Sequence, residues 1–157
     1  MVAIRIRPIQ DADAAATARI FYDAVRIGAQ DYYDEAQRRA WAPWIPESTE
    51  WLDRLKPQTT LVAEQDGRVV GFMTLTADGC IDLAYVAPDR IGHGVAKQLY
   101  DAILSVAVEH GLPRLRAEAS HLARDFFERQ GWSVVMEQTV SRSGVELTNF
   151  VMAKNLS

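Results

Sequence analysis

The 157-residue chain is poor in the residues that staple small proteins or hold metals. Cys80 is the single cysteine, so no internal disulfide forms and a reducing compartment is expected. Three scattered histidines and one cysteine show no metal-ligand spacing. No apolar run approaches the roughly 18 residues of a membrane span, and the start MVAIRIRPI carries arginines within its apolar stretch, unlike a signal peptide. We therefore expect a soluble cytoplasmic protein with no metal and no membrane partner.

An excess of charge of one sign is also lacking. Seventeen Lys and Arg against 21 Asp and Glu leave a net charge of −4, which argues against a nucleic-acid partner, because phosphate backbones are bound by cationic surfaces. The composition, 48% hydrophobic and 24% charged, is that of a globular protein and excludes disorder, collagen and coiled coil. The length fits one domain over residues 1–157, large enough to bury a core without staples.

Strand and helix patterns alternate along the chain without an internal repeat. Alternating residues predict a strand over Val2–Ile9, and helical spacing predicts a helix from Asp11 to about Val25. The segment 28–57 is irregular, with short helices expected after Asp34 and at Ser48. Further strands are predicted at 59–65, 68–77, 80–86, 112–119, 132–141 and 145–153, and further helices at about 95–111 and 121–129. An antiparallel meander followed by a β-α-β crossover predicts an α+β fold with a mixed sheet containing a parallel pair.

The segment AYVAPDRIGHGVAKQLYDAI is the most informative part of the sequence. A buried strand ends at Val86, Pro88 breaks it, and a glycine loop opens an amphipathic helix. Glycines let backbone approach a ligand closely, and the free N–H groups of a helix start attract anions. A P-loop is excluded because no Lys-Ser/Thr pair follows the glycines, and the dinucleotide motif is excluded because Lys97 stands where its third glycine belongs. An ordinary strand–helix turn is the alternative interpretation.

Two motifs in this sequence resemble the GNAT superfamily of acetyl-CoA-dependent N-acetyltransferases. Tyr85–Pro88 matches the family's strand end, and Gly94–Ala96 matches the end of its pyrophosphate loop, with Ile91 standing where the family has Gln or Arg. The segment 120–132, SHLARDFFERQGW, is similar to the family's Asn-x-x-Ala-x-x-Phe-Tyr-Glu-x-x-Gly-Phe. Together with Thr148–Phe150, this segment resembles a bacterial subgroup of small single-domain members.

The resemblance implies the GNAT acyltransferase fold, a mostly antiparallel sheet with a splayed parallel pair and helices on both faces. Acetyl-CoA would be the co-substrate, lying between the strand that ends at Val86 and the strand 112–119. Its amides would pair with backbone of Tyr85 and Val86, and its pyrophosphate would lie on N–H groups of the loop. The implied cofactor-binding residues are Ala84, Tyr85, Val86, Ile91, Gly92, His93, Gly94, Val95, Ala96, Ser120 and Phe127.

Acyl transfer to an amine requires a base, because an aliphatic amine is mostly protonated at neutral pH. Asp82, expected mid-strand without a compensating charge, is the preferred candidate, and Glu118 on the neighbouring strand is the second. Each has a structural alternative, as the partner of an arginine or as a solvated strand end. Phe127 occupies the position of the family's proton-donating Tyr, so Tyr85, Ser120 or water would assist the departing thiolate.

Aromatic residues are concentrated in the irregular segment. Tyr32, Trp41 and Trp44 are predicted to contact a flat, apolar or cationic acceptor, although rings there also serve to fix short helices to the sheet. The predicted reaction is transfer of an acetyl group from acetyl-CoA to the amine of a small molecule, by direct attack in a ternary complex. The alternatives are a protein or peptide amine as acceptor, and a non-catalytic acyl-CoA-binding module. A homodimer is compatible with the sequence.

Overall fold

The computed structural model describes residues 3–157. The helices in this range are α1 (Ala14–Asp23), α2 (Glu35–Trp41), α3 (Ser48–Leu55), α4 (Val95–Glu109) and α5 (His121–Arg129). The strands are β1 (Arg5–Pro8), β2 (Thr59–Gln65), β3 (Arg68–Leu75), β4 (Cys80–Ile81), β5 (Ala84–Val86), β6 (Arg114–Ala119), β7 (Ser133–Arg142) and β8 (Val145–Asn155). Within residues 3–157, every helix is too short or too polar to cross a lipid bilayer.

The strands form two four-stranded sheets, ordered β1-β2-β3-β5 and β4-β6-β8-β7. All neighbouring pairs are antiparallel except β4 and β6, which are parallel. Helices cover both faces of the sheets. Residues of α4 belong to one hydrophobic core, and residues of α1 and α3 belong to a second. The prediction of an α+β fold with a parallel pair is confirmed.

The prediction of one continuous strand over residues 80–86 is wrong, because the chain changes partner within it. Ile81 pairs with Ala117 of β6. Leu83 instead bonds to β3, its carbonyl accepting from the Thr74 N–H at 2.9 Å and its N–H donating to Thr74 Oγ1 at 3.0 Å. Asp82 is the last residue before this switch. The two strands therefore diverge beyond Asp82 and leave a gap between the sheets.

The first helix begins later than predicted. Residues 11–13 form a 3₁₀ turn, and the buried Asp13, not Asp11, precedes α1. The Asp13 carboxylate accepts from the Gln10 N–H at 2.8 Å and pairs with Arg7 at 2.8 Å, and this guanidinium holds the pKa of Asp13 below its usual range. The first strand is Arg5–Pro8, while Val2 of the predicted strand lies outside the described residues. The short helices begin where expected, with Asp34 as the N-cap of α2.

The beginning of α4 lies against β3 and β5 because residue 71 is glycine. A Cβ at Gly71 would lie 2.9 Å from Val95 Cγ1, 3.2 Å from Leu99 Cδ1 and 3.2 Å from the Tyr85 carbonyl oxygen. Real Cβ atoms essentially never approach another heavy atom to 2.9 Å. The lack of a side chain at residue 71 therefore allows the first turn of α4 to pack closely against the edge strand β5.

Candidate active site

The gap between β5 and β6 exposes backbone groups of β5. Leu83 and Ala87 bond to β3, and Tyr85 lies opposite Phe72 in the same alternation. In an antiparallel ladder, every second residue bonds to the same neighbour, so the backbone of Tyr85 faces β3. The outward N–H and C=O groups belong to Ala84 and Val86. The backbone of Tyr85 therefore does not face the gap, contrary to the prediction that the cofactor amides pair with Tyr85 and Val86; Ala84 and Val86 are the residues whose backbone groups are free to do so.

The helix start below this gap has free N–H donors. Gly94, at φ +85°, precedes α4 and provides no side-chain cap. The first helical hydrogen bond joins the Gln98 N–H to the Gly94 carbonyl at 3.2 Å, so the N–H groups of residues 95–97 have no intrahelical acceptor. Free N–H groups at the start of a helix are suited to bind an anion. The His93 N–H does not contribute, because it donates to the Arg90 carbonyl at 3.2 Å.

A cavity of about 360 Å³ extends from this helix start along β5 to α5. Ten of the eleven predicted cofactor-binding residues line it, and His93 does not. Ser120 lies at its upper end as the N-cap of α5, its Oγ accepting from the Ala123 N–H at 3.2 Å. Phe127 is 2% exposed and packs on Trp132 with ring centroids 4.6 Å apart.

A second cavity of about 520 Å³ opens on the other side of the gap. Its walls come from α2, α3, β6 and the β7–β8 hairpin, and they carry both predicted carboxylates, Asp82 and Glu118. Trp41, Tyr85 and Ser120 line both cavities. The two cavities therefore meet at these three residues.

The two carboxylates have different surroundings. Asp82 accepts from Arg54 Nη2 at 3.2 Å and from Gln58 Nε2 at 2.8 Å, so its charge is compensated, contrary to expectation. Glu118 accepts from the neutral amide of Gln138 at 3.1 Å. Among residues 3–157 no cationic side chain lies within ion-pair distance of Glu118. Glu118 therefore carries the uncompensated negative charge of the cavity.

Tyr85 lies at the centre of an aromatic cluster. Its ring centroid is 5.1 Å from that of Phe21 in an edge contact and 6.4 Å from that of Trp41. Burial raises the pKa of the Tyr85 hydroxyl well above its usual value, and the Arg54 charge and a hydrogen bond from the Trp41 indole oppose this shift only in part. Tyr85 therefore keeps its proton near neutral pH and acts as a hydrogen-bond donor.

Of the aromatic residues predicted to contact the acceptor, the structure brings only Trp41 to a cavity. Trp44 follows the end of α2 and is 72% exposed. Tyr32 stacks on His121 with centroids 5.9 Å apart and donates to Asp125, which holds it on the outer side of α5. The sequence showed that these residues are aromatic, but it did not show the direction in which each ring points.

Sequence reasoning missed the contribution of the C-terminal hairpin. The cavity face of β8 carries Leu147, Asn149 and Val151, and Arg142 comes from β7. Alternation along β8 places these three residues on one face. The strands that lie beside β8 are distant in sequence, so a local pattern of residues does not predict this pairing.

Comparison with known proteins identifies the fold's family. Residues 29–154 match the family model described as an acetyltransferase (GNAT) domain. The chain belongs to the GNAT acetyltransferase family. It is 34% identical over 149 residues to the uncharacterized N-acetyltransferase YafP of Escherichia coli, covering 95% of this chain and 94% of that one. A GCN5-related N-acetyltransferase from Rhodopseudomonas palustris is 36% identical, covers 99% of this chain and 98% of its own, and superposes with a TM-score of 0.93.

A more distant solved structure, that of yncA from Salmonella typhimurium with its cofactor acetyl-CoA, shares the fold at 20% identity with a TM-score of 0.75. The match covers 99% of this chain and 95% of that one. The present chain is an acetyl-CoA-dependent N-acetyltransferase. Its residues fit that co-substrate: outward backbone groups at Ala84 and Val86 suit an amide chain, and the free N–H groups of residues 95–97 suit a pyrophosphate. Acetyl-CoA supplies the activated acetyl group as a thioester.

Proposed function

We propose that this GNAT enzyme acetylates the primary amine of a small molecule, by direct attack while both substrates are bound. The observation that carries the proposal is the size of the acceptor cavity and its connection to the cofactor cavity. Its volume of about 520 Å³ lies within the range of about 300–1,000 Å³ that small-molecule sites occupy. It meets the cofactor cavity at three shared residues, so no covalent carrier on the protein is required.

A bridge of two hydrogen bonds, one from Tyr33 just before α2 and one from Gln37 within it, joins this segment to β8 and limits the length of the acceptor. The Tyr33 hydroxyl donates to the Thr148 carbonyl at 2.7 Å, and Gln37 Nε2 donates to the Glu146 carbonyl at 3.1 Å. Tyr33 and Leu147 form a separate buried apolar cluster behind these bonds. An extended peptide needs an open groove across this wall, and the bridge occupies it. This supports a compact acceptor.

We assign the role of base to Glu118. Its uncompensated charge attracts an ammonium ion and accepts the proton that the amine must lose. Asp82 is bound to Arg54 and Gln58, so we assign it the role of holding Arg54 at the cavity wall. This reverses the order of preference from the sequence, because the structure places an arginine on the residue expected to be uncompensated.

Tyr85 is proposed to donate a hydrogen bond to the reacting group without releasing its proton. A thiol has an ordinary pKa near 8.5, whereas burial holds the pKa of Tyr85 above that of free tyrosine. Transfer of the tyrosine proton to a thiolate is therefore uphill. A hydrogen bond still stabilises the negative charge that develops during the reaction.

The test is thiol release from acetyl-CoA with a panel of small primary amines and a panel of short peptides. We expect turnover with small amines, and a clear preference for peptides would refute the proposal. At pH 7, Glu118→Gln should lower kcat/KM by ~10²–10⁴-fold, the scale of general base catalysis, and the loss should shrink at high pH. Asp82→Asn is the matched control and should lose less. A larger loss in Asp82→Asn would return the base role to that residue.

A further inference from the structure

The walls of the acceptor cavity carry more guanidinium groups than carboxylates. The lining residues include three arginines, Arg54, Arg116 and Arg142, and two acids, Asp82 and Glu118. The chain as a whole has a net charge of −4, so this excess of positive charge is a local property of the cavity. A ligand that binds here therefore meets positive as well as negative groups.

Two of the three arginines already have a carboxylate partner. Arg54 and Arg116 each pair with an aspartate, at 3.2 and 2.9 Å respectively. Arg142 differs, because its Nη1 donates only to the carbonyl of the adjacent Ser141, at 3.2 Å. In the described part of the chain, no carboxylate lies within ion-pair distance of Arg142. The cavity therefore has one uncompensated positive charge, on Arg142, besides the uncompensated negative charge of Glu118.

Strand pairing places these two charges far apart along the same sheet. Arg142 of β7 pairs with Val145 of β8, and Glu118 of β6 pairs with Val151 of β8. Val145 and Val151 are six positions apart, which is roughly 20 Å along a strand that rises about 3.3 Å per residue. The long side chains of Arg142 and Glu118 both reach the cavity and span part of this distance. They do not neutralise each other, so a ligand that reaches both needs opposite charges at its two ends.

We propose that the acceptor carries a carboxylate separated from its amine by several carbon atoms, and that Arg142 binds this carboxylate while the amine lies at Glu118. The inference rests on the proposed function and names its substrate class. A guanidinium binds a carboxylate through two parallel N–H···O bonds, and one unpaired arginine matches one negative charge. An α-amino carboxylate, whose charges are adjacent, is too short to span the two groups. The class comprises ω-amino carboxylates and diamino acids that react at the side-chain amine.

Steady-state kinetics with 6-aminohexanoate and its neutral analogue 6-aminohexanamide test this inference. The two acceptors have the same length and the same amine, and they differ by one negative charge. An exposed ion pair contributes at most about 1 kcal/mol, so wild type should favour the carboxylate about three- to fivefold in kcat/KM. The shorter 3-aminopropanoate should have a higher KM than 6-aminohexanoate, because it does not reach both charges.

Substitutions at Arg142 show whether this residue is responsible. Arg142→Gln should abolish the preference for the carboxylate, and Arg142→Lys should retain part of it, because lysine keeps the charge but not the two parallel bonds. Arg142 is exposed and bonds only to the adjacent carbonyl, so we expect both variants to keep the wild-type Tm and acetyl-CoA affinity. Arg114→Gln is the matched control, because it removes the same charge from an exposed arginine outside both cavities, and it should keep the preference.

Three results would overturn the inference while leaving the proposed function intact. The first is an equal kcat/KM of wild type for the acid and the amide, and the second is an undiminished preference in Arg142→Gln. The third is loss of the preference in Arg114→Gln as well, which would show that the overall charge of the protein determines it and not a contact at Arg142. If wild type acetylates no small amine, the proposed function fails and this inference fails with it.

Discussion

Replacing Gly71 by alanine tests whether the spacing between α4 and the sheet holds the cofactor site together. The added Cβ would lie 2.9 Å from Val95 Cγ1 and 3.2 Å from the Tyr85 carbonyl, and Val95 is only 1% exposed, so it has little room to move. Overpacking of this kind costs roughly 1–3 kcal/mol, and the lower entropy of the unfolded alanine chain returns about 0.4–1 kcal/mol. We expect a net destabilisation of about 1–2 kcal/mol, or about 2–8 °C in Tm for a chain of this length.

Thermal unfolding and titration calorimetry with acetyl-CoA provide the measurements. Val95 begins α4 and its N–H is one of the free donors, so a displaced helix start should also weaken acetyl-CoA binding several-fold. Gly28→Ala is the matched control, because its Cβ would meet Ile91 Cδ1 at an ordinary 3.5 Å. That variant should be neutral or slightly more stable. If Gly71→Ala behaves like Gly28→Ala in both assays, the close-approach argument is incorrect.

Two further substitutions test the cofactor side. Gly94→Val should weaken acetyl-CoA binding by at least ~10-fold in calorimetry, because a β-branched residue is strained at φ +85° and shields the free N–H groups. His93 lies outside the cavity, so His93→Ala should bind acetyl-CoA normally. Equal affinities of the two variants would show that the anion site lies elsewhere. Phe127→Tyr restores the family hydroxyl at a 2% exposed ring and should raise kcat by less than ~10-fold, since amine deprotonation is the harder step; a gain of two decades in kcat would show that thiolate departure limits the reaction.

The cofactor half of the site could be predicted from the sequence because it is local. The strand ending at Val86, the glycine loop and the start of α4 follow one another within some ten residues, so their order in sequence is also their order in space. The motif needed no knowledge of the remaining chain. Two details differed from the prediction: the His93 N–H donates to the Arg90 carbonyl, and the backbone of Tyr85 faces β3 and not the gap.

The acceptor half resisted prediction because long-range contacts build it. Asp82 was expected to be uncompensated, yet Arg54, 28 residues earlier, lies on it. Asn149 lies at the cavity only because β8 pairs with β6, and Gln138 of β7 reaches Glu118 of β6 across β8. Which polar groups become hydrogen-bond partners depends on how distant segments pack together. Residue type and spacing along the sequence therefore do not predict these contacts.

Because the chain changes its strand partner at Asp82, β5 forms the edge of its sheet, and the backbone groups on its outer side have no neighbouring strand in the described part of the chain. Unpaired strand edges usually invite another chain, and proteins hide or charge them to prevent aggregation. Here the edge of β5 lies in a slot lined by residues of α4 and α5, including Val95 and Phe126. Because both helices line the cavity beside this edge, the outward backbone groups of β5 face a ligand-sized space and are not presented on an open surface to another protein chain.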